Sequence, residues 1–205
     1  MSGYKTEQEE FWAGKFGDDY TERNQGSQLI ASNTALFASI IARTQQVSSI
    51  LEFGANRGLN LLALRNLLPV AELSAVEINP KAVKDLEAIK DLKIYQQSIL
   101  DFSIDYQREL VLSKGLLIHI APEMLPQAYK VLYESSSRYI CLAEYYNPTP
   151  VEVEYRGNKS KLFKRDFAGD MMDRYPDLTL LDYGFIYHRD HNFAQDDVTW
   201  FILSK

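Results

Sequence analysis

Apolar residues recur along this chain in two rhythms. Over residues 26–46 they follow helical spacing, with Leu29, Ile30, Leu36, Phe37, Ile40 and Ile41 on one stripe. From residue 48 onward, short apolar runs alternate with helical stretches. A run over 48–53 leads into a turn bracketed by Gly54 and Gly58, and an Ala/Leu-rich helix over 59–68 stops at Pro69. A second run over 73–78 ends in Glu77 and Ile78; Asn79 as N-cap and Pro80 in the first turn then start a helix over 80–90. Strands over 93–97, 109–113 and 138–145, with a helix over 122–135 between the last two, continue the alternation. Runs over 178–188 and 195–203 form an antiparallel closing pair. The pattern predicts an α/β fold, a Rossmann-like and mostly parallel sheet with helices on both faces.

Two regions stand outside the alternation. Helices over 6–16 and 26–46 flank a polar turn over 18–25 holding Tyr20, Arg23 and Asn24, so residues 1–46 form an N-terminal helical cap. Residues 146–175 form an insertion after the fifth strand, with a hairpin over 151–161 and a helix over 165–174. No repeat, low-complexity tract or linker divides the chain, which is expected to be one domain over 1–205.

The turn at Gly54 carries chemistry. Its spacing is Glu-x-Gly-x-x-x-Gly, wider than the turn that feeds a pyrophosphate to a helix N-terminus. The preceding carboxylate, Glu52, would repel a phosphate and suits an ammonium group. Glu77, at the tip of the next strand, stands where a ribose diol is hydrogen-bonded. A ligand combining an α-amino group with adenosine, such as S-adenosylmethionine, fits both. The plain alternatives are a glycine turn without a ligand and an ordinary strand-end acid; two acids at consecutive strand ends around one glycine turn are rarer than either part.

Glu52, Gly54 and Gly58 resemble the first motif of class I S-adenosylmethionine-dependent methyltransferases, and Glu77 resembles the second. The resemblance runs over nearly the whole chain. More narrowly, Phe11-Trp12, the run from Tyr20 to Asn24, Lys114-Gly115 through Ile120, Glu144 through Pro150, Tyr155-Arg156-Gly157 and Leu162 through Phe167 are similar to pseudaminic acid biosynthesis-associated methylases. The superfamily resemblance implies a seven-stranded sheet whose antiparallel last strand inserts between the fourth and fifth. It implies a cofactor held by Glu52, Gly54, Ala55, Asn56, Gly58, Glu77, Ile78, Ser98, Ile99 and Lys114, with Arg23 meeting the methionine carboxylate bidentately. A surface pair of Arg23 with Glu22 or Asp19 is the plain alternative. Ser98 takes the place where the superfamily carries an acid against the adenine, so a backbone contact at Ile99 or the Ser98 hydroxyl would serve instead.

Composition narrows the partners. The 205 residues are 46% hydrophobic, and no run approaches the length of a membrane span. The N-terminus lacks a secretory pattern and Cys141 is the single cysteine, so a cytoplasmic protein without a disulfide is expected. A formal charge of -6 argues against a nucleic-acid partner. The compact basic cluster from Arg156 to Arg165, including Lys159, Lys161 and Lys164, suits one small anion or else a solvated loop.

The methyl-accepting site is expected beside 114–119 and 144–150, roofed by the insertion. His119 and Glu144 are the possible general bases for a hydroxyl acceptor, with Tyr146 shaping the pocket. Tyr145, Arg156, Lys164 and Arg165 are expected to bind an anionic sugar derivative such as a sugar nucleotide or a pseudaminic-type nonulosonic acid. His188 and His191 lie later in the chain, and nothing in their spacing places them at the pocket. Asn147-Pro148-Thr149-Pro150 follows the fifth strand and lacks a fourth-position aromatic, which separates it from base-flipping Asn-Pro-Pro-Tyr motifs. No metal-ligand spacing stands out. A nicotinamide-dependent oxidoreductase and a non-catalytic cofactor-binding partner are the rival readings.

Overall fold

The computed structural model describes residues 3–24 and 26–205. Three helices come first, α1 (Glu7–Ala13), α2 (Lys15–Arg23) and α3 (Ser27–Ile41). Then follow β1 (Ser49–Phe53), α4 (Leu59–Leu67), β2 (Glu72–Glu77), α5 (Pro80–Leu86), β3 (Leu92–Gln96) and β4 (Arg108–Lys114). The second half holds α6 (Leu125–Ser135), β5 (Ser136–Glu144), β6 (Val151–Tyr155), β7 (Asn158–Lys164), α7 (Phe167–Arg174), β8 (Thr179–Ile186) and β9 (Val198–Ser204).

Seven strands form one sheet in the order β3-β2-β1-β4-β5-β9-β8, and β6 and β7 form a separate hairpin. The first five pair in parallel, while β9 runs antiparallel to both β5 and β8. The last strand therefore does not insert between the fourth and fifth. Those two pair directly, from Leu110 opposite Tyr139 to Lys114 opposite Ala143. An antiparallel pair made by β8 and β9 adds to the free edge of β5 without opening an existing ladder.

Strand residues alternate between two cores, as the pleat requires. Leu51, Phe53, Val111, Ile140, Leu142 and Leu203 pack with α6 and α7. Ile50, Leu73, Ala75, Leu110, Leu112, Cys141 and Ile202 pack with α3 and α4. Among the described residues no helix is long and apolar enough to cross a membrane.

The N-terminal cap differs from expectation. A capping box of Thr6 and Glu9 starts α1. Most of the expected polar turn over 18–25 is helix α2, and Gln25 lies outside the described residues. Gly14, in extended conformation, separates α1 from α2. The inner face of α2 is marked by small residues, Gly17 and Thr21, rather than by an apolar stripe. A Cβ on Gly17 would stand 1.9 Å from the Trp12 carbonyl oxygen. In the insertion, Arg156 and Gly157 turn the β6–β7 hairpin with φ of 50° and 79°, the left-handed pair that suits a two-residue turn.

Candidate active site

The strand order turns back between β1 and β4, where an open parallel sheet leaves a crevice for a ligand. A cavity of about 630 Å³ occupies it. Its floor is made by the loops beyond β1, β2, β3 and β4; α1, α2, the turn of the β6–β7 hairpin and residues 194–196 close over it.

Glu77 is buried on this floor. Its Oε2 accepts from the Asn56 N–H at 2.7 Å and its Oε1 from the Asn79 N–H at 2.7 Å, which laces the first two loops together. Burial raises its pKa, against those donors. Asn56, at φ 46°, also places its Oδ1 3.1 Å from the Thr21 hydroxyl of α2. Ala55 and Ile78 line the cavity beside them.

The glycines serve packing first. A Cβ on Gly54, at φ 72°, would come 3.0 Å from Leu116 Cδ1. Gly58 lies outside the cavity lining, and its Cβ would stand 2.5 Å from Ile89 Cδ1 and 2.8 Å from Leu86 Cδ2. The expected ligand contact at Gly58 is replaced by close packing of the α4 start on α5 and the segment after it.

Glu52 is also set back from the cavity. It is fully buried, its Oε1 accepts from Asn60 Nδ2 at 2.6 Å, and its Oε2 has no partner among the described residues. Desolvation pushes its carboxyl up to about 8, opposed by the Asn60 hydrogen bond and by the charge of Lys114. Asn60 lines the cavity in its place, with Oδ1 buried and unpartnered. Lys114, half-buried at the tip of β4, lines it too, its pKa lowered by burial against the charges of Glu52, Asp196 and Glu144.

Ser98 and Ile99 line the wall beyond β3, where the Ser98 hydroxyl accepts from the Leu100 N–H at 3.0 Å. Arg23 lines the opposite mouth, its guanidinium 5.7 Å from the Phe16 ring centroid and 6.0 Å from that of Tyr20. Glu22 pairs instead with Lys81, and Asp19 with Lys15.

His119 is buried at the cavity wall, on a short turn over Leu117–His119. Its Nδ1 lies 2.6 Å from the Lys161 carbonyl oxygen. A carbonyl only accepts, so Nδ1 carries the proton and Nε2 keeps a lone pair. Desolvation lowers the imidazole pKa to about 4, against that hydrogen bond. Trp12 and Tyr155 hold the ring, with centroids 4.4 and 5.0 Å away.

Besides Glu52 and Gly58, four more expected site residues lie elsewhere. Glu144 is outside the lining; its Oε1 accepts from Ser113 Oγ at 2.7 Å and from the Leu116 and Leu117 N–H groups at 3.1 Å each, and its Oε2 from Ile118 N–H at 3.4 Å. It thus caps the turn that carries His119 and stands away from the cavity. Tyr146 is exposed beside Phe201. Lys164 stands over the Tyr145 ring at 5.3 Å, and Arg165 Nε lies 2.6 Å from Asp170 Oδ2. Neither basic residue lines the cavity, whereas Arg156 and Tyr145 do, Tyr145 donating to Asp196 Oδ2 at 2.6 Å. His188 lines it and bonds Asp197; His191 does not.

Sequence reasoning missed Asn60 and Asp196, and noted Trp12, Tyr20 and Tyr155 only as parts of motifs. The i, i+8 spacing of Glu52 and Asn60 across a strand–turn–helix was the one local signal. Among the described residues no group of His, Cys, Asp and Glu could hold a metal ion.

No protein-family model matches the chain, and no curated protein matches it in sequence. Solved structures do. The Burkholderia thailandensis 1,6-didemethyltoxoflavin N1-methyltransferase, with its acceptor and S-adenosylhomocysteine bound, aligns at TM-score 0.69 and 10% identity, over 97% of this chain and 86% of that one. The magnesium protoporphyrin IX methyltransferase of Synechocystis PCC 6803, with S-adenosylhomocysteine, aligns at 0.66 and 11%, over 96% and 97%. The plantazolicin methyltransferase BpumL, with an acceptor analogue and S-adenosylhomocysteine, aligns at 0.62 and 13%, over 92% and 89%. What these likenesses establish is the architecture: the chain has the Rossmann-like α/β fold of class I S-adenosylmethionine-dependent methyltransferases.

Proposed function

We propose that this chain transfers the methyl group of S-adenosylmethionine to a small anionic acceptor, a sugar nucleotide or a pseudaminic-type nonulosonic acid of surface-glycan assembly. One observation carries the cofactor half. Around the ends of β2, β1 and β4 the cavity offers an unpartnered buried amide oxygen in the first turn of α4 (Asn60), an ammonium at the tip of β4 (Lys114) and a buried carboxylate at the tip of β2 (Glu77). These complement an ammonium, a carboxylate and a ribose diol in that order. Each Glu77 oxygen accepts from one loop N–H and keeps a further lone pair for a hydroxyl. Arg23 supplies a second cation at the mouth.

When bound, S-adenosylmethionine supplies a methyl group made electrophilic by its positive sulfur. The chain then has to align the acceptor and exclude water. Trp12, Tyr20 and Tyr155 form the aromatic side of the cavity, a surface that packs a ring and leaves little room for solvent. Arg156 holds the acceptor's anionic group from the hairpin turn. His119 takes the proton of an acceptor hydroxyl at Nε2, its tautomer fixed by the Lys161 carbonyl. The narrower pseudaminic assignment rests on motif likeness in the sequence, and Arg156 is what this cavity adds to it.

Calorimetry with S-adenosylhomocysteine, beside NAD, tests the cofactor. Binding of the first and not the second is expected; NAD binding in its stead would sink the reading. For the acceptor, Arg156→Ala should raise its KM while leaving affinity for S-adenosylhomocysteine unchanged.

A further inference from the structure

Four residues lining the cavity carry a buried polar atom with no hydrogen-bond partner among the described residues: Glu9 Oε1, Trp12 Nε1, Asn60 Oδ1 and Gln195 Oε1. Such an atom costs free energy unless a ligand or water satisfies it. Asn60 has been assigned above. Glu9 has not, and it is a carboxylate only 5% exposed.

Glu9 is held from one side. Its Oε2 accepts from the Lys5 N–H at 2.5 Å and the Thr6 N–H at 3.1 Å, which leaves Oε1 free. The helix that carries it is pinned at both ends. Lys5 Nζ donates to the Leu100 carbonyl at 2.9 Å and pairs with Asp101 at 2.5 Å. At the other end the Trp12 carbonyl accepts from Asn79 Nδ2 at 3.1 Å. Thus α1 bridges the loop beyond β2 and the loop beyond β3.

The strand order says what lies under that bridge. On the cofactor reading above, the amino-acid end sits at β1 and β4 (Asn60, Lys114) and the ribose at β2 (Glu77). The base then falls between β2 and β3, where Ile78, Ser98 and Ile99 form the wall. The Ser98 hydroxyl there already serves its own turn. Glu9 Oε1 is the unpartnered acceptor available on this side.

We propose that Glu9 Oε1 receives the exocyclic amine of a bound adenine and makes the cavity select adenosine over a 6-oxo purine nucleoside. Trp12 Nε1, one helical turn further on, is an unpartnered donor. Acceptor and donor together match in kind the adenine edge, where an amine that donates adjoins a ring nitrogen that accepts. A 6-oxo purine reverses both groups.

The test titrates S-adenosylhomocysteine and S-inosylhomocysteine into the wild type and into Glu9→Gln. Gln keeps a carbonyl oxygen for the Thr6 and Lys5 N–H groups, as capping boxes allow, and presents an NH₂ where the free oxygen stood. The wild type should prefer the adenosine form by at least about tenfold, the scale of one hydrogen bond made or lost. Glu9→Gln should lose or reverse that preference. If Glu9→Gln fails to fold, Glu9→Asp, which withdraws the oxygen by one methylene, is read in the same way. A wild type that binds neither ligand removes the cofactor reading. One that binds both equally, or a preference unchanged in the variant, overturns the Glu9 assignment alone.

Discussion

Replacing Glu52 with Gln tests whether the carboxyl at the end of β1 is held neutral. Glu52 is fully buried, and desolvation moves it from 4.5 up to about 8, with Asn60 and Lys114 pulling the other way. A carboxyl raised in this way favours the folded state fully below its unfolded value. That advantage is lost as pH climbs from about 4.5 to about 8, because the unfolded chain ionises first. At roughly 1.4 kcal/mol per unit, the gap amounts to a loss on the order of 5 kcal/mol. Burial also raises Glu77 and Glu144 and lowers His119, so the wild-type slope contains these groups as well and the difference between proteins isolates Glu52. Gln keeps the oxygen that accepts from Asn60 and removes the titration. Urea unfolding from about pH 5 to about pH 8 should show the variant gaining on the wild type by several kcal/mol. Parallel curves would refute a neutral buried Glu52, and with it the electrostatic picture of this end of the cavity.

Glu144→Ala strands the Ser113 hydroxyl and three loop N–H groups; at roughly 1–3 kcal/mol for each buried donor left unsatisfied, a clear loss of stability is expected, read as a lowered Tm. Gly58→Ala should cost about 1–3 kcal/mol through contact with Ile89 and a strained φ, while calorimetry finds affinity for S-adenosylhomocysteine unchanged. Arg165→Ala, which breaks the pair with Asp170, should lower stability by about 1 kcal/mol or less and leave the acceptor KM alone, unlike Arg156→Ala. His119→Gln should reduce kcat on the order of a hundredfold with cofactor affinity retained. Since His119 is lowered from 6.5 to about 4, its contribution to stability is present above 6.5 and lost as pH falls toward 4; the variant should lack that acid-side loss.

The sequence alone determined the succession of elements from β1 onward and the position of the ligand crevice, while α2 read as a polar turn. Periodicity, the Asn79-Pro80 start of α5 and the glycine turn after β1 are local signals, so they survive without tertiary context. Seven strands, the placing of Glu77 at a strand tip and the hairpin in the insertion all follow from them. The alternation of side chains along each strand is local as well, but which face meets which helix is not. Glu52 and Lys114 follow Ile50 and Leu112 by two residues and share the α3–α4 side, whereas Glu144 follows Leu142 and turns to the α6–α7 side. That division separated Lys114, at the cavity, from Glu144, a cap for a neighbouring turn. Tertiary structure likewise decided that Arg156 reaches the cavity while Lys164 and Arg165 turn to Tyr145 and Asp170. It decided the place of β9, which depends on the free edge of β5. It also brought α1 onto the β3 loop and set His119 against the Lys161 carbonyl, 42 residues away in sequence. Contacts between residues so far apart form only when the sheet and its two helical layers close together, and they leave no periodic trace in the chain.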